Sequence, residues 1–160
     1  MNRRQEMILL QTGQKVASLR KNAGLSQDEL AEKLYVSREL VSKWETGKRN
    51  PDYRMIIKLS DIFGISADEI FGNSGDIFDE LSGCFPEDRE LSQKQLSVLF
   101  NSFIKELSKT ERTIFISRYY YGFSSDETAS QLGLRSGYIR KKLTLIRKKL
   151  TGYIKEDQNG

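Results

Sequence analysis

A chain of 160 residues with 38% hydrophobic and 30% charged residues reads as ordinary globular protein, either one domain or two small ones. One cysteine and no histidine exclude a disulfide framework, offer no zinc ligand set and remove the commonest general acid/base. The longest apolar runs, such as Met7-Ile8-Leu9-Leu10, are too short for a membrane span or a signal-peptide core. The expectation is a soluble, cytoplasmic protein without a membrane partner.

The net charge of +4 is unevenly spread. Residues 1–72 carry 12 Lys/Arg against 10 Asp/Glu, residues 73–107 carry 3 against 7, and residues 108–160 carry 11 against 5. Two cationic modules around an acidic connector suit a polyanion at both ends, although basic residues can also be plain solvated surface.

In chain order, almost every periodic segment is helical, and strand and hairpin signals are missing. Residues 14–21 carry Val16, Ala17 and Leu19 on one side and stop at Gly24. Ser26-Gln-Asp-Glu29 is a capping box, and the helix that it starts shows Leu30, Ala31 and Leu34 at core spacing. Ser37 caps a short helix holding Leu40, Val41 and Trp44, ended by Gly47. Asp52, after Pro51, opens a fourth helix with Met55, Ile56, Leu59, Ile62 and Phe63, and residues 66–71 form a short fifth. Residues 73–92, with Gly75, Gly83, Pro86 and most of the acidic excess, read as a linker, in which residues 76–81 offer at most one helical turn.

Helices resume at Gln93, with Leu96, Leu99, Phe100, Phe103, Ile104 and Leu107. Ser108-Lys-Thr-Glu111 is a second capping box, opening a helix with Ile114, Phe115, Arg118 and Tyr119 that ends at Gly122. Ser124-Ser-Asp-Glu127 is a third, followed by Ala129, Leu132 and Gly133. Ser136 caps a last, longer helix through Leu143, Ile146, Leu150 and Ile154. The order short helix, tight turn, short helix thus occurs twice.

A helix pair of this kind can enter a DNA major groove, reading bases through the start of its second helix. In the first pair those residues are Arg38, Glu39, Ser42 and Lys43, beside the N-cap Ser37 and opposite Leu40, Val41 and Trp44. Arg38 or Lys43 suits guanine O6/N7, while Glu39 either accepts from cytosine N4 or is an exposed helix charge. Lys48, Arg49 and Asn50 follow the helix and suit the DNA backbone. Trp44 shares the Leu40/Val41 face and reads as core.

The run Leu25-Ser-Gln-Asp-Glu-Leu-Ala-Glu-Lys-Leu-Tyr-Val-Ser-Arg-Glu-Leu-Val-Ser-Lys-Trp-Glu-Thr-Gly-Lys-Arg-Asn-Pro51 resembles the Cro/C1-type (Xre) helix-turn-helix family over residues 12–72. The resemblance implies a five-helix, lambda-repressor-like DNA-binding domain and assigns Gln27 to a phosphate at its helix N-terminus. Tyr35 departs from the family pattern, which often has glycine or asparagine there. Residues 93–156, from Leu107-Ser-Lys-Thr-Glu-Arg112 through the Gly133 turn to Arg147-Lys-Lys-Leu150, resemble region four of sigma-70-type RNA polymerase sigma factors. There the last helix would be the reader, with Arg135, Ser136, Tyr138, Arg140 and Lys141 at its start. Lys142, Arg147, Lys148 and Lys149 would line phosphates. Thr128, in a slot usually isoleucine, and Gly137 depart from that pattern. Tyr119, Tyr120 and Tyr121 suit packing better than base stacking.

The fold class is therefore all-α, with DNA-binding units at residues 1–72 and 93–156, an acidic linker at 73–92 and a tail at 157–160. The expected function is a sequence-specific double-stranded DNA-binding transcription regulator, a repressor, with palindromic half-sites demanding a homodimer. The alternative is an adaptor whose sigma-like half docks on RNA polymerase or another protein while the first half holds DNA. An enzyme is the weakest class, since no phosphate loop, nucleophile elbow or metal cluster is present in the sequence, and no cofactor is implied.

Overall fold

The computed structural model describes residues 3–71, 74–88 and 90–159. Among the described residues every regular element is helical. The chain divides into two compact units, residues 1–72 and 73–160.

The first unit contains α1 (Arg3–Asn22), α2 (Gln27–Leu34), α3 (Arg38–Glu45), α4 (Tyr53–Phe63) and α5 (Ala67–Phe71). Helix α1 extends N-terminally well beyond residues 14–21, because Ile8, Leu9, Thr12, Gly13 and Val16 form one continuous buried side. A glycine inside a helix costs roughly 1 kcal/mol against alanine. Gly13 offsets that cost by allowing contact: a Cβ there would collide with the carbonyl oxygen of Trp44 and lie 3.0 Å from that of Glu45. Helix α1 therefore meets the C-terminal end of α3 backbone to backbone, and the Trp44 side chain is only 1% exposed.

Local signals start the other helices as expected. Ser26 Oγ accepts from the Glu29 amide at 3.0 Å, while Glu29 Oε1 accepts from the Ser26 amide at 3.1 Å. Ser37 Oγ serves the Leu40 amide, Asp52 Oδ1 the Met55 amide, and Ser66 Oγ the Glu69 amide. Leu30, Leu34, Val41, Ile56, Leu59 and Ile70 fill the core at 0% exposure.

The turn between α2 and α3 holds Tyr35 in the left-handed region, φ 58° and ψ 42°. Val36 N–H then reaches back to the Ala31 carbonyl at 3.0 Å, as a left-handed helix end requires. For an L-residue with a Cβ this conformation costs about 1–2 kcal/mol. Burial does not offset it, since Tyr35 is 91% exposed. The Lys58 ammonium, 6.0 Å from the ring centroid, returns only about 0.5 kcal/mol at an exposed site.

The second unit contains α6 (Ser74–Glu80), a 3-10 turn (Ser82–Cys84), α7 (Gln93–Glu106), α8 (Lys109–Phe115), α9 (Ser125–Leu132) and α10 (Ser136–Asn159). The acidic stretch expected as a linker is largely part of this unit. Ile77, Leu81, Cys84 and Phe85 are buried, and α6 packs against α7 while the 3-10 turn packs against α10. Phe85 meets Phe78 and Phe100 edge-on, at centroid distances of 4.8 and 6.3 Å. The acidic side chains dominate the composition, but the apolar ones between them decide the packing.

Capping boxes begin α7, α8 and α9 at Ser92, Ser108 and Ser124. Helix α8 widens into a π turn (Ile116–Tyr120) before Gly122, at φ 72°. Tyr119, Tyr120 and Tyr121 are all buried, with Phe115 at 4.9 Å from Tyr119 and 6.1 Å from Tyr120. They form core, with no ring face left for a nucleotide base. Thr128 is wholly buried in the place where an isoleucine would pack. Helix α10 starts one residue differently from expectation. Ser136 is its first helical residue, and the Arg135 carbonyl accepts from the Ile139 amide at 3.2 Å.

Candidate nucleic-acid interface

In the first unit α3 has two sides. Val41 and Trp44 are buried and Leu40 is half-buried, whereas Arg38, Glu39 and Lys43 are exposed and Ser42 is partly so. One edge of the helix thus presents donors and acceptors outward from a rigid core. Arg38 lies 4.0 Å from Asp28, both well exposed, a pair too loose to hold the guanidinium. Ser37 caps the helix through its oxygen and keeps its O–H to donate outward.

The position of α3 is set by a network that periodicity does not reveal. Arg20, near the end of α1, donates from Nε to Glu45 Oε1 at 2.6 Å and from Nη2 to Oε2 at 3.2 Å. Its Nη1 also donates to the Leu25 carbonyl at 2.8 Å. Gln27 Nε2, at the start of α2, donates to Glu45 Oε2 at 2.8 Å. The Arg20 and Glu45 side chains are 11% and 7% exposed. Burial works to raise the Glu45 carboxyl, but the bonds from Arg20 and Gln27 and the Arg20 charge outweigh it and hold it below the usual range. The same bond raises the Arg20 guanidinium. Three helices are thereby tied at one carboxylate.

Gln27, expected at a phosphate, is thus also engaged inside the unit. The only sequence signal for this network was an arginine and a glutamate on facing helix ends. After α3, the Lys48 and Arg49 amides both reach the Lys43 carbonyl, at 2.9 and 3.2 Å, and their side chains are exposed. Asn50 differs: it is half-buried and its amide oxygen is turned inward.

In the second unit, Arg135, Tyr138, Arg140, Lys141, Arg147 and Lys148 are exposed and Ser136 is partly so. Several of these cations already have partners. Arg140 lies 3.5 Å from Asp126, and Arg147 donates to the Tyr119 hydroxyl at 3.2 Å and to Thr144 Oγ1 at 3.3 Å. Lys142 sits 5.7 Å from the Tyr138 ring centroid. Lys149, expected beside phosphate, is bound to Glu111 Oε2 at 2.6 Å. Burial would raise the Glu111 carboxyl, yet Lys149 and the Ser108 cap together bring it down to about 2.

A small helical unit whose third helix shows a polar edge beside a buried tryptophan, followed by a second unit with the same turn, defines a helix-turn-helix protein. The Helix-turn-helix family model matches residues 16–70, and the model of Sigma-70, region 4, matches residues 97–150. The HTH-type transcriptional regulator ImmR of Bacillus subtilis is 29% identical over 117 residues, covering 73% of this chain and 81% of the relative. An uncharacterized HTH-type transcriptional regulator of Archaeoglobus fulgidus is 33% identical over 66 residues, covering 41% of this chain and 87% of that protein. The HTH-type transcriptional activator BcrR of Enterococcus faecalis is 39% identical over 61 residues, 38% of this chain and 30% of that protein's length. No solved structure matches the chain.

The chain belongs to the HTH-type transcriptional regulators. It is an all-α, double-stranded DNA-binding transcription regulator in which a Cro/C1-type unit precedes a sigma region-4-like one. No helix among the described residues is long and apolar enough to cross a membrane.

Proposed function

We propose that this regulator acts as a repressor in the cytoplasm, by occupying DNA and without catalysis. The observation that carries the reading is α3, whose Arg38, Glu39, Ser42 and Lys43 edge stands outward while Arg20 and Gln27 fix its angle through Glu45. Arg38 and Lys43 would donate to guanine and Glu39 would accept from cytosine. Ser37, Lys48 and Arg49 would hold phosphates on either side, joined by Gln27 and by Asn50 through its amide group. Two copies of the chain would match a palindromic site, one half-site each.

The second unit would add contacts from Arg135, Ser136, Tyr138, Arg140, Lys141, Arg147 and Lys148 along α10. One observation favours the adaptor reading for this unit. Arg140 and Lys149 are each paired with a carboxylate of the unit itself, which lowers the charge available to phosphate. In that reading α10 docks on RNA polymerase.

Selection of bound duplexes from a random pool, using the full chain and Arg38→Ala, tests the first unit. Arg38→Ala should relax one position of the site, at a cost of about 1–3 kcal/mol in discrimination. An unchanged site would refute the assigned edge. Lys148→Ala should weaken all duplexes alike and lower the salt slope by about one. An unchanged slope would favour docking on protein.

A further inference from the structure

Tyr35 is an anomaly in the first unit. Its left-handed backbone, φ 58°, is one that glycine adopts freely, and it is the one non-glycine residue among the described residues with positive φ. The ring gains almost nothing from the fold, being 91% exposed. The turn needs a left-handed backbone here but not a tyrosine, and strained residues cluster where a protein holds a ligand. The surroundings indicate which ligand. Tyr35 stands two residues before Ser37, the cap of α3, on the approach to the groove-facing edge. The Lys58 ammonium lies 6.0 Å from its ring centroid, and Lys33 lies in the last turn of α2. A neutral phenol O–H on a ring faced by the Lys58 ammonium suits an anionic oxygen.

We propose that Tyr35 is a DNA-backbone contact, its phenol O–H donating to a phosphate flanking the bases that α3 reads. Tyrosine is among the side chains that position proteins on phosphate, and such contacts carry no sequence choice. The strain then has a function, because the left-handed turn swings the ring away from the core and out beside the reading helix. Lys58 would steady the ring over its face and raise the local positive potential. The inference rests on the docking of α3 proposed above, which Arg38→Ala tests separately in the same assay.

The test uses the full chain, a duplex recovered from the random pool and an unrelated duplex of equal length. Tyr35→Phe keeps the ring, the strain and the Lys58 contact but removes the hydroxyl. Its affinity should fall about tenfold on both duplexes. The plot of affinity against salt should stay parallel to that of the wild type, since a neutral group releases no counterion. Tyr35→Gly should lose at least as much affinity while its Tm rises by about 4–8 °C as the strain is relieved. Wild-type affinity in Tyr35→Phe would overturn the contact, whatever Tyr35→Gly does. A loss confined to the selected duplex would overturn it too, pointing to a base and not a phosphate.

Discussion

Arg20→Met removes one side of the ion pair that fixes α3. The loss strands a carboxylate that is 7% exposed, at the C-terminal end of a helix where negative charge is already unfavourable. Breaking a buried pair from one side costs about 3–5 kcal/mol. The low end applies, because Gln27 still donates to Glu45 Oε2 and the carboxyl can take up a proton. About 3 kcal/mol corresponds to a Tm lowered by about 12–24 °C in a unit of this size. The pH dependence should reverse as well. In the wild type the folded Glu45 carboxyl is lowered, so its contribution is present above its unfolded value near 4.5 and lost as the pH falls. Without Arg20, burial raises the folded carboxyl, the folded state binds the proton more tightly, and stability grows from pH 7 to pH 5. Trp44 is the only tryptophan in the sequence and lies in the first unit, so its fluorescence follows that unit during urea unfolding. A variant as stable as the wild type, or one whose stability does not rise from pH 7 to pH 5, would refute the assignment.

Other perturbations separate the remaining parts. Gly13→Ala should destabilise the first unit by about 1–3 kcal/mol, since the collision with the Trp44 carbonyl outweighs the gain in helix propensity; Trp44 fluorescence in urea reads it. Lys149→Ala should lower the stability of the second unit by unpairing buried Glu111, whereas Lys148→Ala should leave its melting by circular dichroism unchanged. The folded Glu111 carboxyl, at about 2, lies below its unfolded value near 4.5. Its stabilisation should be complete above that pH and lost progressively down to about pH 2, visible as acid loosening of tyrosine packing in near-ultraviolet dichroism.

The sequence was most legible where four consecutive residues decide a structure. Ser26 with Glu29, Ser108 with Glu111 and Ser124 with Glu127 mark helix starts without reference to anything distant. It was least legible where the deciding partner lies far along the chain. Gly13 looks like a weakness in α1 until the Trp44 carbonyl stands against it. Ile77, Leu81 and Phe85 disappear among acidic residues until α7 and α10 supply surfaces to cover them. The outward edge of α3 followed from helical spacing alone, because Val41 and Trp44 dictate which side faces out. The Arg20–Glu45–Gln27 tie did not, since charge pairing across 25 residues leaves no period.

The first unit closes on contacts drawn from its own five helices. Small helical domains assemble fast, on the order of microseconds to milliseconds. A ribosome adds only about 5–20 residues per second. The outward edge of α3 would therefore be complete soon after residue 71 emerges, while the sigma-like unit is still being synthesised. A nascent chain of this regulator would then meet DNA through one unit before the other exists.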